Sequence, residues 1–166
     1  MRKHIPNALT FLNLAMGVMA VMVIVASDHP YKAMIVPALI VAGGIIDFLD
    51  GFFARKMGAV SALGKNLDSF ADIITFGIAP VAFISYLDPH PAPMFIVAII
   101  YLLAAAYRLA RFNLHAPADH FHGLPITAAG IILAIAIVIL PTIPVLILTV
   151  LLALAMASKI QIKRIQ

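Results

Sequence analysis

The chain has 166 residues, of which 64% are hydrophobic and 11% charged. Soluble domains carry about 25% charged residues, and a mean hydropathy of +1.11 leaves too little polar surface to cover a globule in water, so an integral membrane protein is the class that remains. The absence of cysteine excludes disulfides, thiol nucleophiles, cysteine zinc sites and iron–sulfur clusters, and the formal charge of +4 has to be explained by where the basic residues sit.

A helix that crosses the hydrocarbon core needs about 17–25 apolar residues. Six runs are expected to do so, at 8–26, 33–53, 68–87, 94–113, 124–140 and 143–158. In lipid the backbone must satisfy its own hydrogen bonds, which makes helices the expected form. Arg2 and Lys3 ahead of the first run resemble the front of a signal peptide, but the run is long and no small-residue cleavage site closes it, so a retained helix is expected. Proline-rich turns separate several runs, at 28–31, at 88–93 and at 141–144, because proline lacks an amide hydrogen and disfavours helix in the residue before it. The longest polar stretch, 55–66, joins the second and third runs. No domain boundary or repeat interrupts the chain, so 1–166 reads as a single membrane domain.

Ten of the eleven basic residues fall on one set of segments: Arg2 and Lys3, then Arg55, Lys56 and Lys65, then Arg108 and Arg111, then Lys159, Lys163 and Arg164. Lys32 alone falls on the other set. The positive-inside rule then predicts an all-α bundle of six transmembrane helices with both termini cytoplasmic, in the cytoplasmic (inner) membrane. The high pI is accounted for as a topology signal, with membrane lipids as neighbours. Nucleic acid is not expected as a partner, since there is no basic stripe interleaved with aromatic residues.

All seven acidic residues are Asp, and four lie between 47 and 72. Asp47 and Asp50 are three apart, Asp47 and Gly51 four apart, and Ala54 continues that face. Gly64, Asp68 and Asp72 repeat every four residues on the next helix. Ionised groups in membrane helices are costly and point to function. Four carboxylates side by side repel one another, so a cation must compensate. Oxygen-only ligands select hard divalent ions, Mg²⁺, Mn²⁺ or Ca²⁺, and four carboxylates suit two ions of the kind used in phosphoryl chemistry. The small residues Gly51, Ala54 and Gly64 would leave room for a ligand, with Arg55 at its rim as a phosphate clamp. The bland alternative is four interfacial or capping Asp paired with Arg55, Lys56 and Lys65.

The run Asp47-x-x-Asp50-Gly51-x-x-Ala54-Arg55, eight further residues, then Gly64-x-x-x-Asp68-x-x-x-Asp72 resembles the complete signature of the CDP-alcohol phosphatidyltransferase family. That resemblance implies a six-helix membrane bundle, usually a homodimer, that transfers a phosphatidyl group from a CDP-linked lipid to an alcohol and releases CMP. It implies that Asp47, Asp50, Asp68 and Asp72 bind two divalent cations, Mg²⁺ or Mn²⁺, and that Asp72 also serves as general base. It places Gly51, Ala54, Arg55 and Gly64 on the CDP part, at the cytoplasmic face. Lys65, Asn7 and Thr10 are added to that CDP-binding set, although polar residues in membrane helices also act as interhelical glue.

Three further stretches are similar to the serine-accepting branch of the family: 6–17, where Asn13 stands at a position that glycerophosphate-accepting members fill with Arg; 68–80; and 107–113 with 121–126. L-serine is therefore the expected acceptor and CDP-diacylglycerol, or a CDP-diether analogue, the expected donor. Arg108 and Arg111, three apart, offer guanidinium forks for a carboxylate, and Asn13 and Asn113 complete the expected acceptor set. Glycerol 3-phosphate or inositol phosphate on the same fold is the alternative, and an ion or proton carrier built on the Asp cluster is the rival of another class. Thr127 departs from the proline expected after Ile126, with a small local effect expected. Gly43-Gly44 is expected to allow close helix approach beside the site. The six His read as loop residues.

Overall fold

The computed structural model describes residues 4–26, 31–58, 61–87, 91–114, 120–158 and 161–163. Helix α1 spans His4–Ala26 and α2 Lys32–Lys56. The third rod is continuous but changes its winding: α3 at Ala62–Asp72, a π-helical segment at Ile73–Ile78, and α4 at Ala79–Leu87. Helix α5 spans Pro91–Leu114, α6 Ile126–Ile139 and α7 Thr142–Ala157. Two three-residue strands, β1 at His120–His122 and β2 at Gln161–Lys163, pair antiparallel with Phe121 opposite Ile162.

Each helix buries the stripe its sequence spaces at three and four residues. On α1 the buried positions are Thr10, Asn13, Gly17, Ala20 and Ile24, while Phe11, Met19, Met22 and Val25 face outward. An outward apolar face is what a lipid-facing helix needs. The core joins Ile40 of α2, Phe76 and Phe83 of the third rod, Tyr101 of α5, Leu133 of α6 and Met156 of α7. Close approach depends on small residues. A Cβ on Gly130 would stand 2.7 Å from the Phe76 Cα, and one on Gly17 would run into the Thr75 hydroxyl and backbone. Gly43 faces Thr75 and Asn13, and Gly44 faces Ile131 and Thr127, so this glycine pair does allow the approach its sequence suggests.

The expectation of six transmembrane helices is corrected. Among the described residues four helical stretches are long and apolar enough to cross a membrane: Asn7–Ala26, Lys32–Lys56, Ala62–Tyr86 and Pro93–Leu114. The last two helices are apolar but have only 14 and 16 residues, roughly 21 and 24 Å at 1.5 Å per residue, against a hydrocarbon core of about 30 Å. The cause is local. Leu140 is extended (φ −106°, ψ 150°) ahead of Pro141, as a residue before proline prefers, and α6 begins only after Gly123, whose φ is +78°.

Other boundaries move as well. The polar stretch 55–66 is mostly helical, since α2 runs to Lys56 and α3 starts at Ala62, capped by the Ser61 hydroxyl accepting from the Gly64 amide at 3.0 Å. His4 belongs to α1, and His120 and His122 to β1, rather than to loops. His29, His90 and His115 lie outside the described residues, as do Arg2, Lys3, Lys159 and Arg164.

Lys32, the lone basic residue of the other set, is buried at the far end of the bundle. It donates to the Ile24 carbonyl at 2.9 Å and lies 4.1 Å from the centre of the Tyr86 ring, which joins the ends of three helices.

Candidate functional site

The acidic residues meet at the opposite end from Lys32. Asp47 lies on the C-terminal half of α2, and Asp68 and Asp72 on α3. One carboxylate oxygen from each of the three lies within 4.8 Å of the others. In an octahedral site with Mg–O near 2.1 Å, neighbouring ligands stand roughly 3 Å apart and opposite ones about 4.2 Å. An all-oxygen group of this size and charge fits one divalent cation, and the described residues do form such a cluster.

Asp50 stands outside that group. Its Oδ2 accepts from the Thr10 hydroxyl of α1, and the residue is 6% exposed. Asp72 is 7% exposed, and its Oδ1 is approached by the Asn13 amide at 3.5 Å. Asp47 accepts at Oδ2 from the Thr127 hydroxyl of α6 at 3.0 Å. Two helices thus supply polar side chains to the carboxylates, α1 to Asp50 and Asp72 and α6 to Asp47. Burying like charges together carries a large desolvation cost unless a counter-charge is held with them, which is a second argument for a cation at this place.

The π-helical segment follows Asp72 directly. Such segments are rare and recur at functional sites. Here it is fastened from two sides. The Thr75 hydroxyl donates to the Asn13 carbonyl at 3.0 Å, and the Tyr101 hydroxyl of α5 donates to the Phe76 carbonyl at 3.1 Å.

The residues expected to hold CDP divide into four groups. Asn7 and Gly64 come together, with a Cβ on Gly64 falling 3.3 Å from the Asn7 Oδ1. The exposed Arg55 folds back over Gly51, where a Cβ would lie 3.2 Å from Nη1, and Ala54 is half-buried beside them. Thr10 faces Asp50. Lys65 is directed elsewhere: its ammonium donates to the Phe112 and Asn113 carbonyls at 2.9 and 3.2 Å, a placement that caps the end of α5.

The expected acceptor residues also divide. Arg108 is buried on α5 on the side of Asp72 and Asp47, and its Nε has no hydrogen-bond partner among the described residues. Asn13 is buried beside Asp72, with its Oδ1 unpartnered among the described residues. Asn113 donates to the Ser69 hydroxyl at 2.9 Å. Arg111 donates to the Ala157 and Ser158 carbonyls at 3.4 and 2.9 Å, closing the end of α7.

Sequence reasoning missed Thr127, Thr75, Tyr101 and Ser69. Only Thr127 carried a signal, as the departure from an expected proline. The other three are ordinary polar residues inside apolar runs, and nothing in their spacing marks them.

The family model described as CDP-alcohol phosphatidyltransferase matches residues 3–160. The chain is similar to the CDP-diacylglycerol–serine O-phosphatidyltransferase of Bacillus subtilis, with 36% identity over 135 residues, covering 80% of this chain and 74% of that protein. It is similar to the protein of the same name from Methanocaldococcus jannaschii, with 38% identity over 129 residues, covering 78% and 58% of the two chains. The archaetidylserine synthase of Methanothermobacter thermautotrophicus is 33% identical over 131 residues, covering 76% and 54%. The chain therefore spans little more than half the length of the two archaeal relatives.

Proposed function

The chain belongs to the CDP-alcohol phosphatidyltransferase family, and from that premise we propose that it transfers a phosphatidyl group from CDP-diacylglycerol, or from a CDP-diether lipid, to the hydroxyl of L-serine with release of CMP. The observation that carries this reading is the convergence of Asp47, Asp68 and Asp72 at one end of the bundle, next to a buried arginine. Serine as acceptor rests on the names of the similar proteins and on the stretches 6–17, 68–80, 107–113 and 121–126.

Asp47, Asp68 and Asp72 would hold a divalent cation, which when bound neutralises a diphosphate and stabilises the charge leaving with CMP. The reading includes two cations, Mg²⁺ or Mn²⁺, with Asp50 as the fourth ligand. Asp72 takes the proton of the serine hydroxyl as its oxygen attacks the lipid-bearing phosphorus and the bond from that phosphorus to the CMP oxygen breaks. The Asn13 amide lies 3.5 Å from Oδ1 of Asp72. Gly51, Ala54 and Gly64 leave space for the nucleotide. Arg55, exposed at the rim, is placed for a phosphate, and Asn7 for the ribose or base. Arg108 has a buried guanidinium for the serine carboxylate. Arg111 and Lys65, which hold carbonyls at the ends of α7 and α5, contribute through the shape of the site.

The site faces the cytoplasm in this proposal, because Arg55, Lys56, Lys65, Arg108 and Arg111 share its end of the bundle and Lys32 is buried at the other. A homodimer is included on family resemblance, and the mass of the protein–detergent complex tests it. The decisive assay follows CMP release from CDP-diacylglycerol with serine, with glycerol 3-phosphate, and with no acceptor, in the presence of Mn²⁺. Serine-dependent CMP release with a serine-containing lipid product is expected. Release driven by glycerol 3-phosphate alone would replace the acceptor, and no release with any alcohol would remove the reading.

A further inference from the structure

Thr127 sits in the first turn of α6 and touches α2 at two points one helical turn apart. Its hydroxyl donates to Asp47 Oδ2 at 3.0 Å. Its methyl lies against Gly44, where an added Cβ would stand 3.5 Å from Thr127 Cγ2. Gly44 and Asp47 are three residues apart and so share a helix face. The β-branched side chain is thus fixed by packing at Cγ2 while Oγ1 aims at the carboxylate. A β-branched χ1 is stiff, so the hydroxyl direction is set by the seat of the methyl.

We infer that Thr127 is a positioning residue for the metal centre: by occupying one oxygen of Asp47 it directs the other toward Asp68 and Asp72 and so raises the affinity of the cluster for its cation. The inference rests on the reading of Asp47, Asp68 and Asp72 as metal ligands. Two observations on the molecule support it. Asp47 is the cluster member supplied by α2, whereas Asp68 and Asp72 come from α3, so the cluster closes only if Asp47 is turned across the gap. The hydrogen bond comes from a third element, α6, which packs along α2 next to the small residue Gly44. The role also matches a general feature of metal sites, in which partners of a ligand's second atom fix its orientation and their loss costs about 10–100-fold in affinity.

The two halves of the side chain can be separated. Thr127→Val keeps the methyl on Gly44 and removes the donor. Thr127→Ser keeps the donor and removes the methyl. The measurement is Mn²⁺ binding to the intact purified protein by electron paramagnetic resonance, without substrate, together with the thermal unfolding midpoint of each variant. Expected are a roughly tenfold weaker Mn²⁺ dissociation constant for Thr127→Val, recovery to within about threefold of the parent for Thr127→Ser, and an unfolding midpoint for Thr127→Val close to that of the parent. The apparent Mn²⁺ constant in the CMP-release assay should rise in parallel, with a smaller change in kcat at saturating metal. Parent-like Mn²⁺ affinity in Thr127→Val would overturn the inference, as would equal weakening in Thr127→Val and Thr127→Ser, which would assign the effect to packing. If the parent protein itself binds no Mn²⁺ while Thr127→Val is folded, the metal reading fails and the inference falls with it. A parent that binds Mn²⁺ with a Val variant that binds it equally well leaves the metal reading standing and removes Thr127 alone.

Discussion

At the scale of single residues, the site separates side chains that face the acidic cluster from those that hold the bundle around it. Asp72 is buried next to Asn13 and is the candidate base. Asp72→Asn is expected to lower CMP release by about 10²–10⁴-fold, the span of general-base contributions, and turnover like the parent would remove that role. Arg108 and Arg111 are three apart in sequence, yet only Arg108 is buried on the side of the carboxylates, while Arg111 holds the Ala157 and Ser158 carbonyls. Arg108→Ala is expected to raise KM for serine tenfold or more, on the scale of the roughly 1.5–3 kcal/mol of a hydrogen bond to a charged group. Arg111→Ala is expected to leave that KM nearly unchanged and to lower the unfolding midpoint in detergent. A reversal of the two outcomes in serine-dependent CMP release would exchange the roles.

At the scale of elements, the third rod combines three requirements. Its first part, α3, must carry Asp68 and Asp72 on one face. The π-helical segment then displaces the chain so that Thr75, Phe76 and Gly77 are all buried. Its carbonyls are met from outside the rod, by Tyr101 at Phe76, because a polar backbone group in an apolar core needs a partner. Tyr101→Phe removes that donor and leaves a buried carbonyl, with an expected cost of about 1–3 kcal/mol, read as a lower unfolding midpoint. The same rod is approached so closely by α6 that a Cβ on Gly130 would meet the Phe76 backbone. Gly130→Ala forces backbone movement beside Asp72 and is expected to destabilise by about 1–3 kcal/mol, as overpacking does. An unchanged midpoint in either variant would show that the π-helical segment tolerates a looser seat.

At the scale of the molecule, the two ends of the bundle are chemically unlike. One carries the Asp cluster and, on the same helix ends, Arg55, Lys56 and Lys65, and the other buries its lone lysine on a carbonyl and a tyrosine ring. The chain has no native cysteine, so single-cysteine variants report orientation without background. In right-side-out vesicles, Tyr31→Cys is expected to react with a membrane-impermeant maleimide, and Lys56→Cys only after permeabilisation. The opposite pattern would place the site on the outer face. Metal stoichiometry is a second whole-molecule test. Two Mn²⁺ per chain are expected if Asp50 takes part, and one would confine binding to Asp47, Asp68 and Asp72.

The sequence by itself determined the membrane class, the long apolar helices and the acidic motif, because hydropathy and a spacing of three or four residues act locally along one helix. The convergence of Asp47, Asp68 and Asp72 from adjacent helices was legible for that reason, and so was the close approach at Gly43-Gly44. What a side chain meets on another helix is not a local property, and only the tertiary structure decided it. It placed Thr10 on Asp50 and Thr127 on Asp47, turned Lys65 and Arg111 to helix ends, and set Asp50 apart from the other three carboxylates. It also reduced six expected spans to four, since Gly123 and Pro141 shorten α6 and α7 below the thickness of the hydrocarbon core. Periodicity says which face of a helix is buried, whereas the partner on that face follows from packing distances between helices that the linear pattern does not encode.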